Sequence, residues 1–233
     1  MIVSGLIASF LAFHAGYCRS SLVNKHHCEI GLKSPSGYSY WDDPRIHTLG
    51  NTGFGGIVHA TLAPFVTNLI DNVVYDGRDV RGEIIKQYGS SNKRVLDVCC
   101  GTGISTPKGG IGLDTSKEMI RMAEYMKPAN KFVLGNAENW GNTYEFDVVT
   151  CMFGLHEMPR SARLKVMENC IRVTNERVVI IDIHPSYTPS ESMLIGEPYL
   201  LDYLENIEQE MKMWSKTTVI EGHVMRWDFI KTL

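Results

Sequence analysis

Cysteine is sparse in this chain of 233 residues: six are scattered along it, with one adjacent pair, and they show neither a disulfide framework nor a zinc-ligand spacing. Basic runs are absent as well. The 23 lysines and arginines stand against 26 acidic residues, for a net charge of -3, which argues against nucleic acid as the main partner. The apolar stretch at residues 2–13 is too short for a comfortable membrane span. Its length suits a secretory h-region, but the positive residue that usually precedes one is missing. His26 and His27 beside Cys28 do not amount to a metal site, and none is expected. With 44% hydrophobic and 21% charged residues the chain is globular, and long enough for one α/β domain with a short appendage.

What is present is organised around Val95-Leu96-Asp97-Val98-Cys99-Cys100-Gly101-Thr102-Gly103. An apolar β-branched run closes on a carboxylate and breaks into small residues, as a buried parallel strand does where it meets a ligand-binding turn. Gly110-Ile111-Gly112-Leu113-Asp114 reads as a second strand ending in an acid, which can accept hydrogen bonds from ribose hydroxyls. Only thirteen residues separate Gly101 from Asp114, where a spacing of about 20 is usual. Pro107 and two glycines lie between them, so the first crossover lacks room for its helix and is expected as a loop or a single turn.

The remaining elements follow in order. Apolar spacing predicts a helix over residues 58–73, with Val58, Leu62, Phe65, Val66, Leu69, Ile70 and Val73 on one face, and a second helix over 80–88. Residues 34–56 read as loop. Thr115 to Glu118 reads as a capping box opening a helix that Pro128 ends. Strands are expected at 132–134, 146–153 and 178–182, a helix after Pro159, two helices between 189 and 214, and a hairpin about Glu221-Gly222.

The motif Asp97-x-x-Cys100-Gly101-Thr102-Gly103 resembles motif I of the class I S-adenosylmethionine (SAM) dependent methyltransferases, in the small-molecule, type 11-like branch. Phe146-Asp147-x-Val149, followed by Leu155-His156-Glu157-x-Pro159, is similar to a second landmark of that branch. The resemblance runs from about residue 94 to the C-terminus. It implies a Rossmann-like, doubly wound, mostly parallel sheet that ends in an antiparallel hairpin, here with a shortened first crossover helix. The organisation expected is an N-terminal apolar, targeting-like segment at 1–33, a loop and helical cap at 34–92, and the methyltransferase domain at 93–233.

On this resemblance SAM is the cofactor, and Asp97, Cys99, Gly101, Gly103, Asp114 and Phe153 line its cleft. Asn136 binds the adenine amine and Ala137 lies against the ring. His156, Glu157 and His184 are the candidates for a general base or for a group that orients the acceptor, with loop capping and helix-terminus stabilisation as the alternative for the first two. The implied reaction is in-line transfer of a methyl group to a small-molecule acceptor. The alternative is a catalytically impaired binding or scaffold protein of the same fold, motivated by the short crossover. A nicotinamide-dependent oxidoreductase is disfavoured because the third glycine of its fingerprint is missing. Membrane association is expected only through residues 2–13. Localisation is cytoplasmic or, if that segment targets the chain, the ER or another organelle.

Overall fold

The computed structural model describes residues 39–89 and 92–231. The stretch 2–13, and with it the expectations on targeting and membrane association, lies outside them.

Five parallel strands form the body of the sheet: β1 (Val95–Val98), β2 (Ile111–Asp114), β3 (Lys131–Leu134), β4 (Phe146–Met152) and β5 (Thr174–Ile183). A hairpin of β6 (Ser215–Ile220) and β7 (Val224–Ile230) completes it, with β7 antiparallel to β5. The order β3-β2-β1-β4-β5-β7-β6 reverses direction between β1 and β4, where open α/β sheets bind ligands beyond the strand ends.

The helices are α1 (Gly53–Val73), α2 (Val80–Tyr88), α3 (Lys117–Met126), α4 (Arg160–Val173), α5 (Glu191–Gly196) and α6 (Leu200–Glu210). Alternate strand residues face opposite layers. Val95, Val148, Met152, Val179 and Ile181 pack against Val80, Ile84 and Tyr88 of α2. Leu96, Val149, Cys151, Val178 and Ile180 share a core with α4 and α6. Both faces are covered, so the strands read as continuous apolar runs rather than alternating ones. Tyr40 and Trp41, from the segment expected as loop, form a 3-10 turn and join that second core.

The connection from β1 to β2 carries no helix. It is held by side chains instead: Lys127 donates to the carbonyls of Ile104 and Thr106, and Asn130 donates to that of Pro107. Ser105 and Thr106 hydroxyls bond the buried Asp97 carboxylate at 2.8 and 2.7 Å. The loop thus caps the sheet face that a crossover helix would cover, while the helix at 53–73 packs against α3.

Several boundaries differ from expectation for local reasons. The first helix begins at Gly53, so part of the glycine-rich loop is its first turn. The α3 cap is Ser116, one residue later than expected, with its hydroxyl accepting from Met119 N–H. Asn175 and Glu176 extend β5 rather than forming a connection. The apolar face of α1 is also split: Leu62, Val66 and Ile70 line a cavity, whereas Phe65 and Leu69 are exposed.

Candidate active site

The ends of β1, β2 and β4 open on one cavity of about 670 Å³. Cys99, Gly101, Asp114 and Phe153 lie at its base, α1 roofs it, and His47, His156, Glu157 and Glu197 form a polar wall. Cys99, Gly101, Asp114, Ala137, Phe153, His156 and Glu157 are therefore brought together as expected.

Asp114 links the first two strand ends. Its Oδ2 accepts from the Gly101 N–H and its Oδ1 from the Ser116 N–H, both at 2.8 Å. Each carboxylate oxygen keeps a second lone pair, as a ribose diol requires. Burial pushes this carboxyl up to about 6, against the two backbone N–H bonds that favour the ion, and the nearby Glu157 charge adds to the rise. Gly101 has φ +53°, and a Cβ added there would meet nothing within 4 Å. A bare backbone turn beside a diol-binding carboxylate in a cavity of this size fits a nucleoside cofactor.

Four expected residues do not belong to this site. Asp97 is fully buried, and its carboxylate accepts from Ser105, Thr106 and Thr150 hydroxyls, which makes it an internal brace. Gly103 packs inward, because an added Cβ would stand 2.7 Å from the Phe132 ring. The Asn136 amide turns into its own loop, accepting from Glu138 N–H at 3.0 Å and donating to Oε1 of Glu138, so it is absent from the cavity wall. His184 also lies off the wall, with Nδ1 accepting from Ser186 N–H at 3.1 Å.

His156 lies in the wall, but as a charged group and not as a free base. Its Nδ1 stands 2.5 Å from Asp182 Oδ1. Burial alone would lower its pKa; Asp182, Glu197 and Glu157 overcome that and hold it up at about 9. The stability that this imidazolium contributes is complete below its ordinary value near 6.5 and is lost as pH rises through about 9. The melting temperature should therefore fall more between pH 7 and 10 in the wild type than in His156→Gln. Equal slopes would rule the charged state out.

Sequence reasoning missed three partners. His47 places Nε2 3.0 Å from Glu157 Oε1 and Nδ1 3.0 Å from Glu197 Oε1. Burial opposes its charge, but the two carboxylates win and hold its pKa well above the usual range, while His47 in turn keeps both glutamates ionised against their own burial. His47 and Thr48 both have left-handed φ, +51° and +62°. Two such non-glycine residues in succession are costly and mark a constrained site. His59 of α1 lies with its ring 4.4 Å from that of His47. Burial, then the adjacent cation, lowers its pKa to about 3, so it is neutral. Glu197 Oε2 is buried, lies 3.9 Å from His156 Nε2, and accepts no hydrogen bond among the described residues.

Residues 95–177 match the family model for a methyltransferase domain. A demethylmenaquinone methyltransferase of Thermotoga maritima is 33% identical over 146 residues, covering 57% of this chain and 62% of that protein. One from Lactiplantibacillus plantarum is 34% identical over 124 residues, covering 44% and 51%. This chain thus spans about half to three fifths of the length of these relatives. Among solved structures, the PH0226 protein from Pyrococcus horikoshii superposes with a TM-score of 0.51 at 15% identity, over 68% of this chain and 91% of that one. A SAM-dependent methyltransferase from Thermotoga maritima gives 0.51 at 13%, over 75% and 99%. At these identities the structural likeness concerns the fold.

Proposed function

We propose that this chain, a class I SAM-dependent methyltransferase by the domain at residues 95–177, methylates a small, largely apolar acceptor that carries a hydroxyl or similar protic group. The observation that carries this reading is the single cavity at the ends of β1, β2 and β4, in which Asp114 meets Gly101 at 2.8 Å. SAM, when bound, supplies an electrophilic methyl on a sulfonium, and the protein's task is then mainly to position the acceptor.

Leu62, Val66 and Ile70 of the roof and Ile183 and Met193 of the wall offer apolar surface to the acceptor's body. The relatives are named for demethylmenaquinone, a molecule with an aromatic ring and an apolar tail, and a roof of this composition suits an acceptor of that type. Glu197, a lining residue whose Oε2 is buried without a hydrogen-bond partner among the described residues, is the carboxylate that takes the hydroxyl hydrogen bond once a small side-chain shift brings that oxygen to the cavity surface. His59 stays neutral because burial and the His47 cation oppose its protonation, and His156 and His47 already hold their protons, so no histidine of this wall is poised as a general base and the wall's role is to orient the acceptor.

Calorimetry with SAM, S-adenosylhomocysteine and NAD tests the cofactor. Micromolar binding of the first two without the third is the expected result, and NAD binding alone would replace this reading with an oxidoreductase. Transfer of radiolabelled methyl to a naphthoquinol tests the acceptor class. Tight SAM binding with no transfer to any quinol or phenol would favour the scaffold alternative.

A further inference from the structure

The helix that normally follows motif I offers free N–H groups and a positive dipole end to an anion. This chain has no such helix between β1 and β2. The same cavity does contain a cation whose pairing is poor. Arg81 of α2 lines it together with Gly101, Ile104 and Ser105, and its guanidinium carbon stands 4.2 Å above the centre of the Phe153 ring. Phe153 is the residue immediately after β4, and it takes a left-handed φ of +57°. The only hydrogen bond or ion pair of Arg81 among the described residues is to Asp71 Oδ1, at a long 3.5 Å.

A guanidinium has five N–H donors in a fork that matches a carboxylate. With its side chain only 17% exposed, Arg81 leaves most of these donors unmet beside the β1 loop. The partner does not make up for the lost water: burial lowers the Arg81 pKa in spite of Asp71, and burial also raises the Asp71 carboxyl. Asp97, at the end of β1, is close enough to interact with the Arg81 charge.

We infer that Arg81 binds the α-carboxylate of the cofactor's amino-acid tail, so that a side chain of α2 takes over the anion site that the missing crossover helix would provide. This rests on the SAM reading above. Asp71 and Phe153 are positioning residues: one holds the guanidinium loosely until a carboxylate displaces it, and the other supports its flat face.

Binding to the full chain tests this without any acceptor. S-adenosylhomocysteine carries the carboxylate; 5′-methylthioadenosine is the same thioether of adenosine without the amino acid. Arg81→Met should weaken the first by roughly 10- to 100-fold, the range for a charged hydrogen-bonded contact, and leave the second within about threefold. Equal weakening of both, or of neither, overturns the inference. Asp71→Asn gives an independent reading should the arginine variant fail to fold: S-adenosylhomocysteine should bind more tightly and 5′-methylthioadenosine unchanged, and no change in either overturns it. Wild-type protein that binds neither nucleoside would instead refute the cofactor reading, and the inference would fall with it.

Discussion

Asp114→Ala should weaken S-adenosylhomocysteine binding by ~1.5–3 kcal/mol, because it removes the carboxylate that is bonded to the Gly101 N–H and accepts from the ribose when ionised. The effect has a pH signature in the wild type. Only the ionised carboxylate accepts from both ribose hydroxyls, and burial holds this group near 6, above its usual value. Affinity should therefore rise as pH rises from 5 to 7, by about tenfold, and level off above the midpoint. Calorimetry across that interval should show the rise in wild type and its loss in Asp114→Asn. A flat wild-type profile would mean that the carboxylate does not contact the nucleoside. Glu157 is the charged neighbour that pushes Asp114 upward, so Glu157→Gln should move the midpoint down.

Asp97→Ala should lower the unfolding free energy by about 3 kcal/mol, one of the larger costs expected of a single substitution. Its carboxylate satisfies three buried hydroxyls, of Ser105, Thr106 and Thr150, at 2.7 to 2.8 Å. Removing it leaves three donors without an acceptor and detaches the crossover loop from the sheet. Asp97→Asn keeps an acceptor oxygen and should cost about half as much. Urea unfolding measures both. A loss under ~1 kcal/mol for the alanine variant would show that the hydroxyls find other acceptors. Nucleoside affinity should fall along with stability in the alanine variant, since residues 104–106 border the cavity through Ile104 and Ser105.

The positions of the strands along the chain and the missing crossover helix were legible because both are local signals, whereas the arrangement of the sheet was expected from the family resemblance alone. A buried parallel strand is an apolar run with a defined end, and thirteen residues that include Pro107 cannot hold three helical turns. Asp97 and Asp114 show where legibility stops. Both are acids at strand ends, but the first lies beneath the Ser105 and Thr106 hydroxyls and the second borders a cavity, a difference made by what packs over them. Asn136 illustrates the same point, because its amide closes a turn with Glu138 that no periodicity announces. His47, His59, Glu197 and Arg81 come from separate segments. Their chemistry exists only once Gly196 packs against His47 and Thr48 and α1 lies across the strand ends. The two left-handed residues at 47 and 48 have no glycine to mark them in the sequence.

The helix-free link between β1 and β2 also bears on how the chain assembles. Leu96 pairs with Ile111, fifteen positions further on, whereas a strand-helix-strand unit commonly needs 30 residues or more. Closing a loop of half the length costs about 0.6 kcal/mol less entropy, and this strand contact needs no helix to dock between its two halves. Apart from the β6–β7 hairpin, where Ile220 pairs with Val224, the contact is the most local one of the sheet, whose other pairings reach as far as Arg177 with Ile230. The turn that holds Gly101 is thus tied to the parallel strand pair whose closure demands least of the chain.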